Sequence, residues 1–150
     1  MGGTVHMPGE GETHDSGGAT LTIKAGGAET GGSFFMSEIT VPPGYPGPPL
    51  HRHSRLCDMF YVLEGTLTLR VDGRTVALPP GGFACAPPGV VHTFSNPGPE
   101  PVRMLNFSTP SGFESYMRDL AAAFSGGAMP TSAQIGAIAS RYDVEVVPEA

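Results

Sequence analysis

Tryptophan is absent, lysine occurs once as Lys24, and cysteine occurs twice, as Cys57 and Cys85, among 150 residues. Each scarcity excludes something. With Lys+Arg at 8 against Asp+Glu at 14 and a net charge of −6, there is no basic stripe for phosphates. Nucleic acid and anionic membrane surfaces are therefore not expected partners, and no DNA-binding segment is visible. The preference for arginine over lysine fits a GC-rich bacterial gene. No apolar run approaches the roughly 20 residues of a membrane helix. The N-terminus has no basic segment followed by an apolar one, so no secretory leader is expected. Two cysteines in apolar surroundings read as reduced thiols of a cytoplasmic protein, although a bridge between them is not excluded.

What is abundant is glycine and proline, 22 and 16 residues, in a chain that is 39% hydrophobic. These turn formers show no Gly-X-Y period and punctuate short apolar runs, which predicts an all-β domain. Residues 1–18 lack a hydrophobic period and are expected to be a flexible tail, with His6 and His14 solvated in it. Strands are expected at Thr20–Lys24, Phe34–Val41, Asp58–Leu63, Thr66–Val71, Arg74–Leu78, Val90–Asn96 and Val102–Ser108, with a short buried one at Phe83–Ala86. Asp72-Gly73 is a hairpin signal, because both central residues of a type I′ turn need positive φ. The proline-rich stretch from Pro42 to Pro49 cannot pair as a central strand and reads as a stiff loop. Turn signals at this spacing suggest a barrel or sandwich over 19–110.

Beyond residue 110 the period changes. Phe113, Tyr116, Met117, Leu120 and Phe124 follow helical spacing after a capping-box pattern at Ser111–Glu114. A second box at Thr131–Gln134 precedes Ile135, Ile138, Ala139 and Tyr142. Residues 111–150 are thus expected as two helices against the barrel, the first capping one mouth, with a short extended end at 143–147.

The chemistry concentrates at His51-Arg52-His53. On a strand, i and i+2 share a face, so the two imidazoles can hold one metal ion. Asp58 follows, and His92 lies on another predicted strand. Alone, a strand histidine is more often a hydrogen-bonded core residue than a ligand. Parity from Asp58 selects Phe60 and Val62 as pocket walls, and parity from His92 selects Phe94. On the closing strand Met104, Asn106 and Ser108 are the favoured inward face, with Asn106 as the polar group of an apolar cavity. Cys57, next to Asp58, should point away from the metal.

The spacing resembles the cupin superfamily. The family's first motif runs Gly, spacer, His-X-His, three or four residues, Glu, six residues, Gly; here it reads Gly44, His51-Arg52-His53, four residues, Asp58, six residues, Gly65. The second runs Gly, five residues, Pro-X-Gly, two residues, His, three residues, Asn; here it is Gly81, Pro87-Pro88-Gly89, His92 and Asn96. The second match is complete. The first departs in an opening spacer one residue longer and in Asp58 for Glu. The resemblance implies a jelly-roll barrel, that is, a double-stranded β-helix, with His51, His53 and His92 as ligands of one divalent transition metal ion. Zinc, iron and nickel lead a donor set that also suits cobalt, manganese and copper. Asp58, one methylene short, either ligates directly, binds through water, or supports a ligand. The resemblance further implies a homodimer and a small-molecule substrate. Three functions follow in order: a polyketide cyclase using the metal as a Lewis acid, with Asp58 or a metal-bound hydroxide taking the proton; a quercetinase-like dioxygenase; and a non-catalytic ligand-binding cupin.

Overall fold

The computed structural model describes residues 2–149, which form eleven strands and three helices. The strands are β1 (Glu12–Ser16), β2 (Ala19–Ala25), β3 (Phe35–Val41), β4 (His51–Arg52), β5 (Cys57–Glu64), β6 (Leu67–Val71), β7 (Arg74–Leu78), β8 (Phe83–Ala86), β9 (His92–Ser95), β10 (Val102–Thr109) and β11 (Glu145–Val146). The helices are α1 (Gly27–Thr30), α2 (Phe113–Phe124) and α3 (Ser132–Ala139). Two antiparallel sheets face each other, one in the order β1-β2-β3-β10-β5-β8 and the other β11-β4-β9-β6-β7. This is the expected jelly roll.

Alternation along the strands builds the core. β3 and β10 bury every second residue, and Phe35, Val41, Phe60, Val62, Leu67, Leu69, Val102 and Met104 meet between the sheets. Each such side chain is worth about 1.5–3 kcal/mol when fully removed from water. The turn between β6 and β7 has positive φ at both Asp72 and Gly73, as the hairpin signal predicts. Gly47 holds the proline-rich loop against β9: a Cβ there would stand 1.8 Å from the Phe94 carbonyl oxygen. Only glycine permits that approach.

Three expectations need correction. Residues 12–16 are not tail but β1, paired along its length with β2. Its sequence lacks apolar alternation because it is an edge strand with little to bury; the turn at Gly17-Gly18, both at positive φ, and the bidentate Arg118–Glu12 pair hold it instead. His14 lies on it beside Glu12, 2.5 Å away. Second, β8 is not buried: it is a sheet edge, and Phe83 is 54% exposed. Third, Ser111–Glu114 makes no capping box. Gly112 is the N-cap of α2, and the buried Glu114 carboxylate accepts the Gly27 amide at the start of α1 instead, at 3.0 Å. The second box is formed, with Thr131 and Gln134 each accepting the other's backbone N–H.

Candidate metal centre

Four side chains from both sheets converge. His51 on β4 is the direct cross-strand partner of His92 on β9, and His53 follows β4 on the same side. Asp58 comes from β5 of the opposite sheet. One donor atom from each of His51, His53, Asp58 and His92 lies within 4.8 Å of all the others, and all four residues are buried.

Each imidazole is oriented by a backbone carbonyl on its Nδ1: Pro49 for His51 at 2.9 Å, Asp143 for His53 at 2.5 Å, and Val90 for His92 at 3.0 Å. A carbonyl only accepts, so each Nδ1 carries the hydrogen and each ring turns its Nε2 to the cluster. Asp58 Oδ2 sits 3.0 Å from His92 Nε2 and 3.6 Å from His53 Nε2. With Nδ1 already protonated, the first contact is held either by a second proton on the ring or by a cation shared with the carboxylate. The second is too long for a hydrogen bond, and His53 Nε2 is a buried nitrogen without a partner among the described residues. Donors about 2.1 Å from a common ion lie roughly 3.0–3.5 Å apart. The donor set therefore fits a metal ion, and the orphaned His53 nitrogen is the clearest sign.

Electrostatics agree. Burial, with His92 close by, pushes His51 down to about 4, so this ring is neutral and able to donate at pH 7. Burial pushes the Asp58 carboxyl up, but His53 and His92 outweigh it and hold the group at about 2. The carboxylate is further fixed by Asn106, whose Nδ2 donates to Asp58 Oδ1 at 2.8 Å and to the Met59 carbonyl at 3.1 Å.

The cluster borders a cavity of about 110 Å³. His51, Asp58 and Asn106 form its polar end; Tyr45, Phe60, Phe94, Phe113, Tyr116 and Met117 are among its apolar walls. Phe60, Phe94 and Asn106 border it. Val62 and Met104 do not: they are cross-strand partners in the fully buried core beside it. Parity gives the face of a strand, not the depth at which the cavity ends. Cys57 lies outside the cluster, its Sγ 3.3 Å from that of Cys85, and both are free thiols.

Sequence reasoning misses Tyr45, which stacks on Phe94 at 6.1 Å from within the proline-rich loop. It also misses Asp143. The Tyr45 signal was available, since an aromatic in a stiff loop leading to a ligand has few other places to go. Asp143 left no local signal, because its partners lie some 90 residues earlier.

A jelly roll with three histidines and a carboxylate gathered beside its cavity defines a class. Residues 37–108 match the family model described as Cupin domain. The chain is 30% identical over 135 residues to the quercetin 2,3-dioxygenase of Bacillus subtilis (strain 168), a match covering 90% of this chain and 38% of that relative. It thus spans well under half of that protein's length. Among solved structures, KdgF from Halomonas sp. superposes with a TM-score of 0.64 at 23% identity, covering 76% of this chain and 99% of that one. The polyketide cyclase RemF from Streptomyces resistomycificus gives 0.61 at 25% identity, covering 72% and 79%. Residues 37–108 thus carry a cupin domain, and the two-sheet fold around them is that of its solved neighbours.

Proposed function

We propose that the protein is a metal-dependent enzyme that cyclises a small aromatic or polyketide-type substrate. The observation that carries the reading is the cluster's position: four buried donors border a cavity whose remaining walls are mostly aromatic and aliphatic. His51, His53 and His92 hold the ion, zinc, iron or nickel by donor type, and Asp58 is its fourth ligand. When bound, the ion supplies a Lewis acid that polarises a substrate carbonyl. With Oδ1 held by Asn106 and Oδ2 turned toward the imidazoles, Asp58 is placed for metal ligation rather than proton abstraction. Asn106 orients Asp58. Phe60 and Phe94, tilted to each other by 56°, offer aromatic faces to an unsaturated ring, and with Phe113 they exclude water. A cavity of about 110 Å³ takes little more than one ring. The resemblance to a polyketide cyclase at 25% identity supports this reading.

A second reading has its own support in the 30% identity to a quercetin dioxygenase: a redox metal on the same ligands and an oxygen-dependent cleavage. Turnover of aromatic polyketide and flavonol substrates with and without oxygen separates the two. Undiminished anaerobic turnover by a zinc-loaded protein supports cyclisation; stoichiometric oxygen uptake supports the dioxygenase; metal binding without turnover of either supports a ligand-binding role.

The same proposal includes a homodimer. Phe83 and Tyr61, both exposed, lie on the outer side of β8 and β5, and Phe107 from β10 stands 6.5 Å from Phe83 between ring centres. An apolar patch at a sheet edge is suited to pairing with its own copy. Light scattering reads the mass directly, and Phe83→Glu is expected to give a monomer.

A further inference from the structure

We propose that Asp143 is a positioning residue for the metal centre, fixing the ring of His53 and the loop that leads from it to Asp58. The inference rests on the metal reading of the cluster. His51 and His92 are oriented by carbonyls two residues away in their own loops, Pro49 and Val90. His53 is different: its Nδ1 donates to the carbonyl of Asp143, far away in sequence. The same residue's side chain is saturated with donors. Oδ1 accepts the Ser54 amide and hydroxyl, both at 2.7 Å, and Oδ2 accepts the amides of Arg55 at 2.8 Å and Leu56 at 2.9 Å. Residues 54–56 lie in the one connection between His53, beside one sheet, and Asp58, on the other. One carboxylate therefore gathers the connection, and one carbonyl aims the ring.

The segment is anchored on its far side as well. β11 pairs with β4, placing Val146 opposite His51 and Glu145 opposite Arg52. Arg52 donates twice to the Glu145 carboxylate, at 3.0 and 2.8 Å, and the Val147 amide donates to the Leu50 carbonyl at 2.8 Å. The clamp is thus built around the two ligands of the first motif. Charge-assisted bonds to a carboxylate are strong and directional, and partners that orient a ligating imidazole commonly change metal affinity 10–100-fold. Because coupling is reciprocal, a metal that favours the oriented His53 also favours the docked C-terminal segment. Docking of that segment and loading of the ion become one linked equilibrium.

The test uses the full chain, stripped of metal, with zinc as probe and a chromophoric chelator as competitor. Asp143→Ala is expected to lower zinc affinity about 10–100-fold, with Asp143→Asn intermediate. Arg118→Ala, which removes the β1–α2 ion pair remote from the cluster, is expected to lose stability without losing affinity. Nitrogen-15 NMR of the metal-free protein gives a second readout: His53 is a single Nδ1–H tautomer in the parent and a mixture in Asp143→Ala. A folded Asp143→Ala with parental affinity and tautomer overturns the proposal, as does an equal affinity loss in Arg118→Ala. If Asp143→Ala does not fold, Asp143→Asn decides on the same two readouts. A parent chain that binds no zinc or other divalent transition metal removes the metal reading, and the tautomer comparison still decides whether Asp143 orients His53.

Discussion

Asn106 and Asp58 are joined across two strands of the larger sheet, the amide of one donating to the carboxylate of the other at 2.8 Å with both side chains buried. Oδ1 of Asp58 is spent on this contact. Only Oδ2 faces the imidazoles, at 3.0 Å from His92 and 3.6 Å from His53. The carboxylate's rotation is thus fixed from behind, with one oxygen turned toward the imidazoles.

Replacing Asn106 by leucine removes that restraint and leaves a buried carboxylate oxygen unpaired. An unpaired buried polar group costs about 1–3 kcal/mol, and loss of a ligand's support lowers metal affinity about 10–100-fold. Chemical denaturation of the metal-free protein reads the first effect, and metal titration reads the second.

Met104 tests the boundary between core and cavity. It is fully buried opposite Val62, away from the cavity walls. Met104→Ala is expected to cost about 2–5 kcal/mol of stability through the void it leaves, with metal affinity at the parental value. Phe94→Ala, on the cavity wall, is expected to weaken substrate binding. A Met104→Ala variant that alters substrate affinity while keeping its stability contradicts this assignment.

The pair that holds β1 has a defined pH signature. The hydrogen bond from Arg118, with His14 adding to it, depresses Glu12 from 4.5 to about 2. A carboxyl whose folded value is depressed stabilises the fold above its unfolded value, and that contribution is lost as pH falls through the folded value. The stability difference between the parent and Glu12→Gln should be at its full size above pH about 4.5 and shrink toward pH 2. Melting temperatures across that window measure it. The contact is partly exposed, so salt should reduce the difference throughout.

The barrel was legible because its signals are local. Alternation in residues such as Thr66–Val71, the turn at Asp72-Gly73 and the breaks at proline-glycine pairs all act within a few residues. The second motif was legible for the same reason, since Pro87 to Asn96 is one turn and one strand. β1 was not, because an edge strand needs only backbone partners and carries no apolar pattern to betray it. Glu114 was misread because its partner, the Gly27 amide, comes from an early part of the chain, outcompeting the local cap. Cavity depth failed to follow from parity at Val62 and Met104, because where a cavity ends depends on how side chains from both sheets fill the barrel. Asp143 combines these difficulties: an isolated acidic residue after a helix, with every partner distant in sequence.

The most direct test of the account is the metal content of the purified protein, measured by plasma mass spectrometry beside His53→Ala and His92→Ala. His53 Nε2 is buried without a partner among the described residues, in a cluster whose donor atoms lie within 4.8 Å of one another. The account predicts about one divalent transition metal ion per chain in the parent, following the donor geometry of such a site, and near-complete loss in both variants while they remain folded. A parent that stays metal-free after incubation with zinc, iron(II) or nickel, or variants that retain a full complement, would contradict it.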